Sequence, residues 1–238
     1  MKNISIIGAS GAIGNALLRK LSDGYPSASL HAFSRNNINV DIPNLQHHSI
    51  YFDDETSIKN AANIASSQAP IDLAIIATGV LHTEEIKAEK ALRELSAINL
   101  EYLFKVNSIY PAVIAKHFIP RMNFANNGVF AVLSARAGSI ADNEMGGWYA
   151  YRGSKAALNM LIKNISIESS RKQKGSIVVS LDPGVVDSKL SRPFHAFLPE
   201  GKLLSPETSA EKLIALIQGL TSNETGKLLT IEGKEVAP

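Results

Sequence analysis

Leu73-Ala74-Ile75-Ile76-Ala77 is apolar at every position, with no alternation of apolar and polar residues. A strand with one wet face shows a period of two. An unbroken run of this length fits a parallel strand covered on both faces. The run is one of seven strand candidates: Asn3–Ile7, Ser29–Ser34, His48–Phe52, Ile71–Ala77, Val129–Ser134, Ser176–Leu181 and Lys227–Thr230. Helical patterns lie between them, near Ile13–Leu21, Ser57–Ser66, Ala97–Met122, Tyr149–Ser169 and Pro206–Leu220. Strand–helix alternation of this kind predicts an α/β fold, a doubly wound parallel sheet of about seven strands in a single domain spanning 1–238.

Composition narrows the functions available. The chain has no cysteine, which removes disulfides, thiolate catalysis and cysteine-based zinc sites. Its six histidines include the pair His47-His48 but no metal-binding spacing, so no metal is expected and that pair is assigned to a loop or an edge strand. Net charge is only +2. The densest basic cluster, Arg171-Lys172-Gln173-Lys174, falls where a helix should end and complements the helix dipole, so no nucleic-acid partner is expected. No run is long and apolar enough to span a bilayer. Ile4, Ile6 and Ile7 give way to glycine too early for a signal peptide, so a cytoplasmic protein is expected. One irregular stretch, 187–205, carries Pro193, Pro199 and Gly201, and is long enough to form a lid over a site.

The first strand candidate runs directly into Gly8-Ala9-Ser10-Gly11-Ala12-Ile13-Gly14, and a helical pattern follows. Glycines there let the backbone turn sharply and approach a pyrophosphate, while the helix N-terminus supplies free N–H donors. Gly8, Ser10, Gly11, Ala12, Ile13 and Gly14 are therefore candidate nucleotide-binding residues; the alternative is a plain tight strand–helix turn. The second strand ends in Ser34-Arg35, with no acid to take the ribose hydroxyls. An arginine at that position accommodates a 2′-phosphate, so Ser34 and Arg35 point to NADP(H) rather than NAD(H).

Tyr151-Arg152-Gly153-Ser154-Lys155 opens a later helical pattern. Tyr151 and Lys155, four apart, share one helical face. An ammonium near a phenol favours the phenolate, so the tyrosine pKa is expected to fall from about 10. Such a tyrosine can give a proton to a carbonyl oxygen, or take one back.

With these residues in place the chain resembles the short-chain dehydrogenase/reductase family over essentially its whole length. The Gly8–Gly14 segment resembles that family's glycine loop, with Ala12 at the middle glycine and Ile7 at the threonine. Ala77-Thr78-Gly79 resembles the tail of the motif after the fourth strand, with both asparagines lost. Asn107 resembles the catalytic asparagine of the long helix, and Tyr151 and Lys155 match the catalytic pair. Pro183-Gly184-Val185-Val186-Asp187-Ser188 resembles the segment beside the nicotinamide, which implies Pro183, Gly184, Val186 and Ser188 as cofactor contacts. The family's catalytic serine position holds Ala135, within Ser134-Ala135-Arg136-Ala137-Gly138-Ser139. Ser134 is the first candidate to replace it, Ser139 the second, and neither is the third possibility. Asp53 is the candidate adenine contact by resemblance, although counting back from Ser57 puts Tyr51 there; an acid at a helix start is the alternative for Asp53.

Gly79-Val80-Leu81-His82 and Gly146-Gly147-Trp148-Tyr149-Ala150-Tyr151 resemble the C-factor and sniffer-type carbonyl reductase branch. The resemblance implies NADPH-linked reduction of a small-molecule carbonyl, or oxidation of the alcohol, by a homodimer or homotetramer. The alternatives are a C-factor-like nucleotide-binding signalling protein with little turnover, and an epimerase or dehydratase of the longer branch.

Overall fold

The computed structural model describes residues 1–38 and 40–238, Phe197 by its backbone alone. In chain order the main elements are β1 (Asn3–Ile7), α1 (Ala12–Gly24), β2 (Ser29–Ser34), β3 (Leu45–Ser49), α2 (Glu55–Ala65), β4 (Leu73–Ile76) and α3 (Ala97–Phe104). They continue with α4 (Tyr110–Phe118), β5 (Val129–Leu133), α5 (Tyr149–Lys172), β6 (Ile177–Asp182), β7 (Val185–Val186), β8 (Leu203–Leu204), α6 (Pro206–Gly219) and β9 (Leu228–Thr230). Seven strands form one sheet in the order β3-β2-β1-β4-β5-β6-β9, all paired in parallel. The order reverses between β1 and β4, and the crevice at such a switch point is where this architecture takes ligands.

Side chains alternate across the sheet and build two cores. Ile4 and Ile6 pack with Leu17, Leu18, Leu213 and Ile217 of α1 and α6. Ile7, Phe33, Phe130 and Val132 pack on the other face with Ile58, Phe118, Leu158 and Ile162 of α2, α4 and α5. Covering on both faces explains why Leu73–Ile76 shows no polar alternation. No helix among the described residues is long and apolar enough to cross a membrane.

Three expectations are corrected. The third strand is Leu45–Ser49, not His48–Phe52. Leu45 pairs with Leu30, and the chain leaves the sheet after Ser49 because Asp54, which caps α2 by accepting from Thr56 N–H at 2.8 Å, must lie outside the strand. His47 and His48 do lie on this edge strand. The single helix expected over 97–122 is broken. A π-helical turn over Lys105–Ile109 separates α3 from α4, and a 3₁₀ turn over Ile119–Arg121 ends the run. Pro111 has no N–H to give to the Asn107 carbonyl four residues back, so the α-helical ladder cannot pass this point; Pro120 ends the run similarly. The 187–205 stretch is also less irregular than expected. It holds a 3₁₀ helix at Arg192–Phe197 and the strand β8, which pairs in parallel with β7.

Candidate active site

Gly8 leaves β1 with φ +87, and a Cβ there would lie 2.9 Å from the Ala77 carbonyl carbon and from Thr78 Cγ2. A Cβ at Gly14 would lie 2.9 Å from Ala9 Cα, so α1 can approach the turn only with glycine at that position. Ser10, Gly11 and Ala12 are exposed above this junction. Gly11 caps α1 without a side-chain hydrogen bond, and the first turn carries no acid, so the helix N–H groups face outward uncapped. Thr78 Oγ1 is buried with no hydrogen-bond partner among the described residues. An uncapped helix start, an orphaned hydroxyl and glycines at the switch point fit a dinucleotide.

The other matched residues converge one layer away. A Cβ at Gly79 would come 3.6 Å from Lys155 Nζ and 3.7 Å from Asn107 Oδ1. Asn107 is fully buried in the π-helical turn; its Oδ1 accepts from Val80 N–H at 2.8 Å. Its Nδ2 donates to Val80 O at 2.8 Å and to Ser154 Oγ at 3.0 Å. Ser108 Oγ donates to Ser154 O at 2.6 Å, pinning the broken helix to α5. Ser154 was not singled out from the sequence, although it stands between Tyr151 and Lys155 in the motif.

Lys155 Nζ donates to Leu133 O at 3.0 Å and stands 5.9 Å from the centre of the Tyr151 ring. Burial lowers the Lys155 pKa to about 8, with the Asp182 carboxylate opposing that shift. Tyr151 departs from expectation: burial first, then the negative charge of Asp182, push its pKa well above the usual value. Lysine alone does not make a resting phenolate here, because desolvation outweighs it. The phenol is protonated at neutral pH, the form an acid must have before it donates. Asp182, at the end of β6, is a second residue the motif reading missed. Burial raises its own pKa, against the N–H groups of Gly184 and Arg136 that hydrogen-bond to it.

Both proposed stand-ins for the missing serine point elsewhere. Ser134 Oγ donates to Asn159 Oδ1 of α5 at 2.7 Å. Ser139 Oγ donates to Ala237 O at 2.5 Å and accepts from Asp142 N–H at 3.0 Å. The reason is strand alternation: Ala135 packs against the cluster that holds Tyr151, so its neighbour must face away. Of the three possibilities left by the sequence, the geometry matches the one in which neither serine serves.

Two cofactor candidates are also engaged otherwise. Ser34 is 1% exposed, and its hydroxyl bonds to Asn36 O and His47 Nε2, which ties β2 to β3 rather than presenting it to a phosphate. Asp53 forms an ion pair with Lys105 and accepts from the Tyr110 hydroxyl at 2.7 Å. Those contacts, Lys105 first, hold its carboxyl below the usual range. Arg35 is exposed, close enough for its charge to be felt at Asp53. Gly184 takes φ +73, Pro183 O accepts from Ser209 Oγ at 2.8 Å, and Val186 O accepts from Ser191 Oγ at 2.5 Å. Ser188 meets the same Ser191 hydroxyl at 3.5 Å, so this segment is braced as a unit.

Aromatic rings form the outer wall. Phe194, from the 3₁₀ helix of 187–205, packs 4.8 Å from Trp148 and 6.2 Å from His82, centre to centre. Trp148 meets Tyr151 edge-on at 6.2 Å. His82 Nε2 reaches Leu190 O at 3.0 Å, linking the segment after β4 to the one after β7.

A seven-stranded parallel sheet, a glycine turn at its switch point and a tyrosine–lysine pair heading a core helix define an α/β protein of the nucleotide-binding type. The chain belongs to the short chain dehydrogenase family, whose model matches residues 2–198; this is an oxidoreductase family that uses nicotinamide cofactors. The C-signal protein of Myxococcus xanthus is 31% identical over 146 residues, 61% of this chain and 82% of that one. The carbonyl reductase Sniffer of D. melanogaster superposes with a TM-score of 0.84 at 21% identity, covering 100% of each chain. The NADPH-bound carbonyl reductase from chicken fatty liver gives 0.82 at 22% identity, over 100% of this chain and 94% of that one. The chain is thus similar in sequence to the C-signal protein and in fold to the sniffer reductase.

Proposed function

We propose that the protein interconverts a small-molecule ketone or aldehyde and its alcohol, using NADP(H). The observation that carries this reading is Tyr151, buried and one helical turn from Lys155, whose ammonium reaches the Gly79–Asn107 junction. At the switch point the cofactor, when bound in its reduced form, would supply the hydride for carbonyl reduction.

The chain's residues do the rest. Gly8, Gly11 and Gly14 admit the pyrophosphate to the α1 N-terminus, with Ser10, Ala12 and Ile13 beside it. Arg35 takes the 2′-phosphate. Ala77, Thr78 and Gly79, with Pro183, Gly184, Val186 and Ser188, would hold the nicotinamide end. Tyr151 O–H donates its proton to the carbonyl oxygen as charge develops there. Lys155 stabilises the resulting phenolate and holds the nicotinamide ribose. Asn107 keeps Val80 and Ser154 in register with that pair. The walls near Tyr151 are Leu81, Ala135, Ala137, Leu190 and the aromatic rings, which suit a neutral carbonyl compound. Residues 187–205 act as the lid. Two or four copies assemble through α3 and α5, where Ile98, Tyr102 and Met160 are exposed.

The neighbouring NADPH-bound carbonyl reductase supports the choice of cofactor, as does the absence of an acid after β2. A second reading has one observation in its favour. Ala135 brings no side-chain donor, and the Ser134 and Ser139 hydroxyls are engaged elsewhere, which suits a nucleotide-binding signalling protein of low turnover. Steady-state NADPH oxidation against a panel of neutral aldehydes and ketones separates the two. Turnover supports the reductase; tight NADPH binding with no turnover on any panel member supports the signalling protein.

A further inference from the structure

Trp148 precedes α5 in the left-handed region, at φ 49 and ψ 43, and its side chain does not cap the helix. A bulky residue holds that conformation only when its surroundings impose it. The restraint comes from Glu89, in the segment between β4 and α3. Its backbone carbonyl accepts the Trp148 N–H at 2.5 Å. Its carboxylate Oε2 accepts the Ala150 N–H at 3.3 Å, one residue before Tyr151. The first turn of α5 has no acid of its own, and Glu89 supplies a side-chain oxygen to one of its free N–H groups. The side chain is 3% exposed, and Oε1 has no partner among the described residues. Burying a carboxylate so incompletely satisfied is costly. A bare packing role would be served at less cost by an apolar side chain. Gly147 completes the arrangement: at φ +66 it turns the chain into Trp148, and a Cβ on it would stand 3.3 Å from Glu89 O.

We infer that Glu89 is a positioning residue: by holding Trp148 N–H with its backbone and Ala150 N–H with its carboxylate, it fixes where Tyr151 presents its hydroxyl. The inference rests on Tyr151 being the proton donor, and it extends that reading to a residue on a different segment. Glu89 does not touch the substrate; it acts through the first turn of α5. The Trp148 ring lies against both Tyr151 and the lid residue Phe194, so the same restraint sets the aromatic wall.

The test compares Glu89→Ala with Glu89→Gln in the full chain. Trp148 is the only tryptophan, so its emission reports this turn directly and needs no substrate. Glu89→Ala is expected to shift that emission to longer wavelength and to lower kcat about tenfold or more, since small misplacements of a reacting group are expensive. NADPH affinity should stay within about twofold, because the α1 turn is untouched. Glu89→Gln still offers an oxygen to Ala150 N–H and should keep kcat within about threefold, with wild-type emission. Unchanged emission in Glu89→Ala would overturn the inference, whether or not a turnover substrate is in hand. So would unchanged kcat, or parallel losses of kcat, NADPH affinity and melting temperature, which would mark a merely structural residue.

Discussion

Ser134 Oγ donates a hydrogen bond to Asn159 Oδ1 at 2.7 Å, and the next residue, Ala135, is the one that packs toward Tyr151. The serine therefore secures α5 to the end of β5, and the side of the strand that faces Tyr151 carries a methyl group. Ser134→Ala is expected to leave kcat/KM within about threefold while lowering the melting temperature, since a buried hydrogen bond contributes about 1 kcal/mol. Ala135→Ser is expected to raise kcat/KM about tenfold, because it adds a preorganised donor where charge develops. Steady-state kinetics on the best carbonyl found checks both. A tenfold loss in Ser134→Ala with unchanged stability would contradict the assignment.

Arg35 is exposed beyond the end of β2, and Ser34 is committed to His47. Arg35→Ala is therefore expected to weaken NADPH binding about tenfold or more and leave NADH binding unchanged, a charge-assisted contact being about twice as strong as a neutral one. Ser34→Ala should not change the ratio of the two affinities. Fluorescence titration of both cofactors decides; an unchanged ratio in Arg35→Ala would rule out the phosphate role.

Lys155 has its pKa lowered to about 8 by burial, so its charge is lost just above neutrality. The kcat/KM for carbonyl reduction, which reports the free enzyme, should fall as pH rises through about 8. Lys155→Arg, which stays charged, should move that limb upward even if its rate is lower. A flat profile from pH 7 to 10 would show that the ammonium is not needed.

His31 lies on β2, stacked 5.9 Å from His48 and 6.4 Å from Phe33. Burial, then the neighbouring His48, lowers its pKa from 6.5 to about 4. Between those values the unfolded chain binds more protons than the folded one, so this contribution is intact above about pH 6.5 and is lost as pH falls through about 4. His31→Phe keeps the stacked ring and removes the titration. Its melting temperature should fall less over that window than the wild type's. Parallel pH profiles would contradict this.

Much of this architecture is legible in the chain because burial on both faces leaves a mark. Ile71–Ala77 and Val129–Ser134 read as strands, and the sheet holds buried strands at Leu73–Ile76 and Val129–Leu133. The third strand was harder. Ile50-Tyr51-Phe52 looks more strand-like than Gln46-His47-His48, but Leu30 pairs with Leu45 and the register follows from that contact. Pro111 was visible, yet a proline near the start of a new helical segment resembles ordinary helix sequence, and only the π-helical turn shows that it interrupts one. Motif matching found Tyr151, Lys155, Asn107 and Gly79, which the fold brings together. It could not tell which side Ser134 faces, because that depends on where β5 ends its alternation. Nor could it find Glu89 or Asp182, whose importance comes from contacts across the fold.

The central claim is that Tyr151 gives the proton to a carbonyl oxygen. The most direct test measures NADPH oxidation and NADPH affinity in Tyr151→Phe, which removes only the phenol oxygen from a buried ring. General acid catalysis typically contributes about 10²–10⁴-fold, so kcat should fall by about that factor while NADPH affinity stays within about twofold. A Tyr151→Phe protein that keeps most of its carbonyl-reducing activity would contradict the account.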